Sequence, residues 1–181
     1  MTILKIVTYP DPVLSTACKP VEKVTKEIQA LLTDLADTMY EAPGHGIGLA
    51  APQVGVLKRV IVLDTQWKEE KTVKKKGRLY QLVNPVITKK TGALEWDEGC
   101  LSIPGFSQMM KRAKQVTVEA LDYNGKPITI EAEDLFAVCL QHEIDHLDGK
   151  LIIDKASRLK KNLYIEQVRK TISKDHKEAI L

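Results

Sequence analysis

Two histidines and a glutamate lie close together in the run His142-Glu143-Ile144-Asp145-His146. Residues four apart in sequence lie one turn apart on the same face of a helix, so both imidazoles can bind one metal ion. Glu143 would lie about 100° round the helix axis from His142, where its carboxylate can reach a metal-bound water without being a ligand itself. On a helix, this spacing predicts a metal-dependent hydrolytic centre. The alternative is a pair of surface histidines beside acidic neighbours.

The residues before this run favour the metal centre over the surface pair. Residues 135–140 are apolar on every side of the predicted helix, which is typical of a helix that enters the core. Histidines and a glutamate that enter the core on the same helix need partners, because burying such groups unpaired is costly. A metal ion would provide a partner for both imidazoles.

Two histidines leave the ligand set of a metal site incomplete. Cys139 is three residues before His142, but it would lie about 10.5 Å along the helix axis from His146. Ligand bonds of about 2.0–2.3 Å do not easily span that separation, so we expect Cys139 to line the core or a pocket wall. Cys100, in the run Glu98-Gly99-Cys100-Leu101-Ser102, is a candidate third ligand. An aspartate or glutamate elsewhere in the chain is the alternative.

A glycine-rich run, Gly46-Ile47-Gly48-Leu49-Ala50-Ala51-Pro52-Gln53, is a further candidate segment. Glycine at two alternate positions allows an extended backbone to pass close to a ligand or to another backbone. The amide of Gln53 could stabilise a developing oxyanion if it faces the metal. Taken alone, the run is more typical of an ordinary glycine-rich turn.

Three helices must position these residues. Apolar residues at helical spacing predict an amphipathic helix over 25–41. The helix that carries the two histidines should be capped by Asp134 and stop at Gly149. A third helix with a basic exposed face should cover residues 157–178.

The remaining segments predict strands and one exposed loop. Residues 60–63 and 79–88 have strand character, and Pro85 marks the second as an edge strand or a bulged one. A hairpin should turn at Asn124-Gly125, while the polar residues 68–77 should form an exposed loop. We therefore expect an α+β fold, with antiparallel or mixed sheets packed around a central metal-binding helix and with a C-terminal helix.

Length and composition set the broad class of protein. The chain has 181 residues, 44% apolar and 28% charged, which suits one domain with a substantial core. It contains no apolar run near the roughly 18 residues of a membrane helix, and its first residues lack the apolar stretch of a signal peptide. Three scattered cysteines argue against a disulfide framework. These features predict a soluble, cytoplasmic protein.

The net charge of +3 is unevenly distributed. Residues 68–78 hold six basic residues against two acidic ones, and residues 155–181 hold eight against three, so the rest of the chain is acidic. Such a basic loop and basic tail are usually solvated surfaces. Attraction to a polyanion such as ribosomal RNA is the alternative.

Taken together and in this order, the runs 46–53, 98–102 and 141–149 resemble the three motifs of the peptide deformylase family. The opening run Tyr9-Pro10-Asp11-Pro12-Val13-Leu14 also resembles that family's first segment, so the likeness covers nearly the whole chain and implies one catalytic domain over 1–181. Three departures stand out. One is His45, which stands where several members carry a carboxylate. The basic stretch 68–78 looks like an insertion, and Gly105-Phe106-Ser107 replaces a stretch that includes a substrate-facing arginine in some members.

The resemblance implies a reaction and a role for single residues. The reaction would be removal of the N-formyl group from formylmethionyl nascent chains, with release of formate. Cys100, His142 and His146 would bind one divalent metal, Fe(II) in the family, for which Zn, Ni or Co could substitute. Glu143 would act as general base, while Gln53 and the backbone N–H of Leu101 would stabilise the oxyanion. The substrate-binding residues would be Ile47, Gly48, Gly99, Leu135, Val138 and Cys139.

The resemblance also implies partners. Besides formylmethionyl peptides, the basic C-terminal helix could contact the ribosome, and we expect a monomer without membrane contact. Because the active site lies elsewhere in the sequence, charge removal in this helix should spare hydrolysis of a free tripeptide. The residues chosen for that test are Lys160, Lys161, Arg169 and Lys170.

Two other classes share parts of this pattern. A zinc endopeptidase also carries two histidines and a glutamate on one helix, but it usually takes its third ligand from the segment after that helix. Here residues 150–181 offer a single histidine and no acidic metal-binding pattern. A binding module with a structural zinc is the second class, and it would need a fourth protein ligand.

Overall fold

The computed structural model describes residues 2–43, 46–70 and 73–178. In this part of the chain the helices are α1 (Lys26–Glu41), α2 (Asp134–Leu147) and α3 (Arg158–Glu178), with short 3-10 turns at Pro12–Ser15, Ala51–Val54 and Ile152–Lys155. The strands are β1 (Gly48–Ala50), β2 (Val60–Leu63), β3 (Lys68–Glu70), β4 (Val73–Lys75), β5 (Tyr80–Thr91), β6 (Leu94–Gly99), β7 (Ser107–Arg112), β8 (Gln115–Leu121) and β9 (Pro127–Glu133).

The strands form three separate antiparallel sheets. The largest sheet has the order β1-β2-β5-β8-β9, while β3 pairs with β4 and β6 pairs with β7. The predicted α+β class is confirmed, and within the described strands the sheets are antiparallel rather than mixed. The predicted hairpin is confirmed as β8 and β9, with Gly125 at a φ of 78° in its turn.

Strand β5 is a central strand, so the edge position that Pro85 suggested is wrong. The bulge is confirmed, because the register with β8 shifts between Val83 and Val86. Asn84 in this bulge has a φ of 52°, and its side-chain amide bonds both the N–H and the carbonyl of Val21 at 2.8 Å. The bulge accommodates a proline in a strand that is paired on both sides.

The predicted exposed loop over 68–77 is wrong, since β3 and β4 pair there; residues 71 and 72 lie outside the described ranges. The base of this ribbon is fixed by buried contacts. The Trp67 indole donates to the carbonyl of Gly46 at 2.7 Å, and the carboxylate of Asp64 accepts from the Tyr40 hydroxyl at 2.8 Å and from Gly77 N–H at 2.9 Å. Backbone pairing lets a polar segment form strands despite its composition.

Helix α2 lies in the centre of the molecule. One face packs against the large sheet, and residues from Ala137 to Leu147 share an apolar cluster with β2, β5, β8 and β9. The helix begins one residue after Glu133, which occupies the N-cap, so the predicted capping by Asp134 is wrong. It ends before Gly149, as predicted, where a Cβ would lie only 2.8 Å from the backbone of Ser15.

Two further apolar clusters complete the core. One joins α1 to β1, β2 and β5. The other joins the segment after β6 to α3 through residues such as Ile103, Phe106 and Tyr164. Of the helices described, none is long and apolar enough to cross a membrane.

Candidate metal centre and substrate cleft

The three residues implied as metal ligands converge in the fold. Helix α2 presents His142 and His146 on one face, and the turn after β6 brings Cys100 against them. One ligand atom from each lies within 4.8 Å of the others, and the Cys100 Sγ is 3.2 Å from the His146 Nε2. Among the described residues this is the one group of histidine, cysteine and acidic side chains with such spacing. A thiol and two imidazoles suit a borderline metal such as zinc or iron, and they leave a coordination position open.

A buried carboxylate orients His142. Glu98 Oε2 lies 2.8 Å from the Nδ1 of His142, and Arg112 donates to both oxygens of Glu98 at 2.6 and 2.9 Å. Burial raises the pKa of Glu98, but the hydrogen bonds from Arg112 and His142 outweigh it and hold that pKa below its ordinary value. An ionised carboxylate only accepts hydrogen bonds, so Nδ1 must carry the proton, and Nε2 is the ring nitrogen left to face a ligand.

Arg112 also donates to Asp145 on α2, although its own side chain is almost fully buried. One guanidinium thus ties β7 to both Glu98 on β6 and the helix that carries the histidines. A fork that bonds two carboxylates holds the metal-facing side of α2 in a fixed orientation.

Glu143 is buried beside the two histidines, with 4% of its surface exposed. Burial raises the pKa of its carboxyl to about 7. Its Oε2 and the Nδ1 of His146 are the two buried side-chain N or O atoms in the described part of the chain that have no hydrogen-bond partner. Both belong to this site. Unsatisfied buried polar atoms are rare in native proteins, so their presence here points to chemistry or ligation rather than to packing.

The glycine-rich run passes directly over Glu143. A Cβ on Gly48 would lie 2.4 Å from the Glu143 Oε1 and 2.9 Å from the Cys139 Sγ. The close backbone approach predicted for this run is therefore confirmed at Gly48. Gly99 differs, because a Cβ there would meet nothing within 4 Å.

Gln53 is held so that its amide nitrogen faces the site. Its Oε1 accepts from the backbone N–H of Ala50 at 2.8 Å, which leaves Nε2 to point towards the Ser102 Oγ at 3.2 Å and the Cys100 Sγ at 3.6 Å. Its side chain is 2% exposed, so the amide is preorganised in a site with little water.

A cleft of about 660 Å³ opens over these groups. Its wall includes every predicted site residue except His146, which lies behind Cys100 and is 2% exposed. Burial raises the pKa of Cys139 well above its ordinary value, so that thiol stays protonated and serves as an apolar part of the wall. The residues that form the apolar part of the wall include Ile47, Leu135, Val138, Cys139, Ile103 and Phe106.

The far wall of the cleft, residues 104–107, contacts the C-terminal helix. Lys160 of α3 donates to the carbonyl of Ser107, and its ammonium lies 4.9 Å from the ring centre of Phe106. Lys160 is therefore close to the site in space, although it is distant from the site residues in sequence. Sequence reasoning also missed Arg112 and the role of Glu98, which only the antiparallel pairing of β6 with β7 brings together.

Comparison with known proteins gives one consistent result. A family model described as polypeptide deformylase matches residues 3–162. A peptide deformylase of Thermodesulfovibrio yellowstonii is 50% identical over 164 residues, which is 91% of this chain and 95% of that relative. The crystal structure of a peptide deformylase from Legionella pneumophila is 43% identical and has a TM-score of 0.85, with 97% of this chain and 98% of that chain covered. A peptide deformylase from Ehrlichia chaffeensis, in complex with actinonin, is 40% identical with a TM-score of 0.85, covering 94% of this chain and 98% of that one.

Proposed function

Because this chain belongs to the polypeptide deformylase family and removes the N-formyl group from nascent polypeptides, we propose that Cys100, His142 and His146 hold the metal ion for that reaction. The family assignment sets aside the zinc endopeptidase and the structural zinc module. We further propose Fe(II) as the resident ion, with Zn, Ni or Co able to substitute. We also propose that residues 1–181 form one catalytic domain.

The geometry of the donor atoms supports this ligand set. The three donors lie within 4.8 Å of one another, and Glu98 orients His142 so that Nε2 faces inward. Burial holds the pKa of His146 well below its ordinary value, so this imidazole is neutral and can donate a lone pair. When bound, a divalent cation would acidify a coordinated water and polarise the formyl oxygen.

Glu143 is proposed as the proton carrier. Its unpartnered Oε2 can accept the proton of the attacking water and pass it to the nitrogen of the leaving amine, so that formate and a free amino terminus result. Its raised pKa, about 7, suits a group that must both take up and release a proton near neutral pH. The buried surroundings that raise this pKa also keep bulk water away from the reacting atoms.

Two hydrogen-bond donors are proposed to stabilise the oxyanion that forms on the formyl carbon. One is the Gln53 amide, whose orientation is fixed by Ala50. The other is the backbone N–H of Leu101, next to Cys100 on the cleft wall. Preorganised donors of this kind stabilise the transition state because they need no reorientation during the reaction.

The cleft suits an extended peptide that begins with methionine. We propose that Ile47, Gly48 and Gly99 lie along the substrate backbone, where the glycines leave room for it. We propose that Leu135, Val138 and Cys139 enclose the methionine side chain, since an apolar wall complements a flexible thioether.

The C-terminal helix α3 bears on where the protein acts and what it contacts. We propose that the protein acts in the cytoplasm as a monomer and that α3 contacts the ribosome, where formylated chains emerge. The eight basic residues against three acidic ones in residues 155–181 support a phosphate-binding role. Within the described part of α3, Leu159 and Leu163 are 70% and 58% exposed, so this helix also offers apolar surface to a partner.

The activity and the metal can be tested on one sample. Formate release is measured from a formylmethionyl tripeptide and cleavage from an unformylated internal peptide, with metal content determined anaerobically on the same protein. We expect formate release, no internal cleavage and one metal ion per chain. A fully loaded protein that cleaves the internal peptide but releases no formate would contradict the proposal.

A further inference from the structure

The C-terminal helix has a second role at the cleft itself. We propose that Lys160 and Tyr164 are positioning residues that hold the wall formed by residues 104–107 in the shape that binds the peptide substrate. This inference rests on the proposed function, because it assigns that wall a part in binding the formylated peptide. It concerns affinity for the substrate and leaves the chemical step to the groups on α2 and the turn after β6.

Lys160 makes three contacts, two with the wall and one with Gln108, the residue that follows it. Its ammonium donates to the carbonyl of Ser107 and to the Gln108 Oε1 at 3.1 Å, and it lies 4.9 Å from the ring centre of Phe106. Phe106 and Ser107 both line the cleft. One cation on α3 thereby fixes a backbone carbonyl and an aromatic ring of the substrate wall at the same time.

Tyr164, one helical turn after Lys160, supports the same wall from behind. It is 5% exposed, its hydroxyl donates to the carbonyl of Pro104 at 3.2 Å, and its ring lies 5.2 Å from that of Phe106. Lys160 and Tyr164 therefore hold the two ends of the segment between them, Pro104 and Ser107. The contacts come from a helix more than 50 residues away in sequence, since Lys160 and Ser107 are 53 apart.

The wall depends on these contacts because its own backbone bonding is sparse. Its last residue, Ser107, begins β7 and pairs with Gly99, whereas residues 104–106 lie in the turn between β6 and β7. Gly105 in this turn has a φ of 73°, and a Cβ there would meet nothing within 4 Å. A single turn bond, from Phe106 N–H to the carbonyl of Ile103 at 3.2 Å, is its main internal support. A wall that must be ordered when the peptide binds lowers affinity by the cost of that ordering.

The test compares two adjacent lysines that carry the same charge. Lys161 donates to Asp154 at 3.3 Å instead of to the wall, so Lys161→Met is the matched control for Lys160→Met. Steady-state hydrolysis of a neutral formylmethionyl tripeptide gives KM and kcat for wild type, both variants and Tyr164→Phe. Lys160→Arg tests rescue, since a guanidinium can donate to the same oxygens.

We expect Lys160→Met to raise KM roughly three- to tenfold with kcat within about twofold of wild type, as the loss of three modest, partly exposed contacts implies. Tyr164→Phe should raise KM by a smaller factor, while Lys161→Met and Lys160→Arg should stay near wild type. An unchanged KM in Lys160→Met would overturn the inference while leaving the proposed function intact. Equal rises in Lys160→Met and Lys161→Met would overturn it, because the contact with the wall would then not be what distinguishes the two lysines. A wild type without formate release would instead refute the proposed function.

Discussion

A methyl group added at Gly48 should displace Glu143, the proposed general base. The Cβ of Gly48→Ala would lie 2.4 Å from the Glu143 Oε1 and 2.9 Å from its Cδ, whereas ordinary contacts begin at about 3.4 Å. The backbone of β1 is fully buried and paired with β2, so it cannot retreat easily. The Glu143 Oε2 has no hydrogen-bond partner among the described residues, so the carboxylate is the group that moves.

The size of the effect follows from that geometry. Relieving the overlap needs a shift of about 1 Å in the carboxylate, and a misplacement of that size costs roughly 10²-fold in rate when the moved group takes part in the reaction. The proposed ligands Cys100, His142 and His146 do not supply any of the three atoms nearest to the new methyl. The metal should therefore stay bound while kcat falls.

The assay is formate release by Gly48→Ala, with metal content and thermal stability measured on the same sample. Gly99→Ala is the matched control, because it also lies on the cleft wall but its Cβ would meet nothing within 4 Å. We expect the control to keep its metal and most of its kcat, with any loss confined to KM, because Gly99 is proposed to lie along the substrate backbone. If Gly48→Ala keeps wild-type kcat with a full metal complement, the reasoning that Glu143 is held by this close approach is refuted.

Three further outcomes are expected. Arg112→Met leaves the buried Glu98 carboxylate without its cation, so urea unfolding of the metal-free protein should show a free energy of unfolding lower by about 3–5 kcal/mol. A decrease below about 1 kcal/mol would contradict the claim that Arg112 stabilises the buried carboxylate. Cys100→Ala should lose the metal, whereas Cys139→Ala should keep it and raise KM; metal loss confined to Cys139→Ala would reverse the ligand assignment. Aerobic handling should inactivate the iron form faster than a nickel form, because a thiolate on Fe(II) is oxidisable. Replacing Lys161, Arg169 and Lys170 by glutamine, with Lys160 retained, should weaken co-sedimentation with ribosomes across a salt series yet leave tripeptide hydrolysis unchanged. If this variant and the wild type pellet equally at low salt, the tail is only a solvated surface.

The elements whose signals are local were predictable. The amphipathic stripe of α1, the Asn124-Gly125 hairpin and the paired histidines on α2 each depend on a few neighbouring residues, and the structure has all three. The central position of β5 was not predictable, because Pro85 indicates an interruption of strand pairing but not which strands lie on either side. The pairing of β3 with β4 was also missed, since these strands are mostly polar and the hydrogen bonds that fix their base involve Asp64 and Trp67, which lie outside them.

The site divides in the same way. Gln53, Cys100 and Glu143 could be named from the sequence, because they lie in the three runs that resemble the family's motifs. All three line the cleft. Arg112 and Lys160 could not, because each acts through a contact between elements that are distant in sequence. An arginine or lysine among 27 basic residues carries no local mark of such a contact.

The central claim is that Glu143 carries the proton in a metal-assisted hydrolysis, and Glu143→Gln tests it most directly. The substitution keeps the shape of the side chain and removes its basicity. With metal content confirmed at one ion per chain on an anaerobic sample, formate release from a formylmethionyl tripeptide should fall roughly 10²–10⁴-fold. Near-wild-type turnover by fully loaded Glu143→Gln would contradict the account.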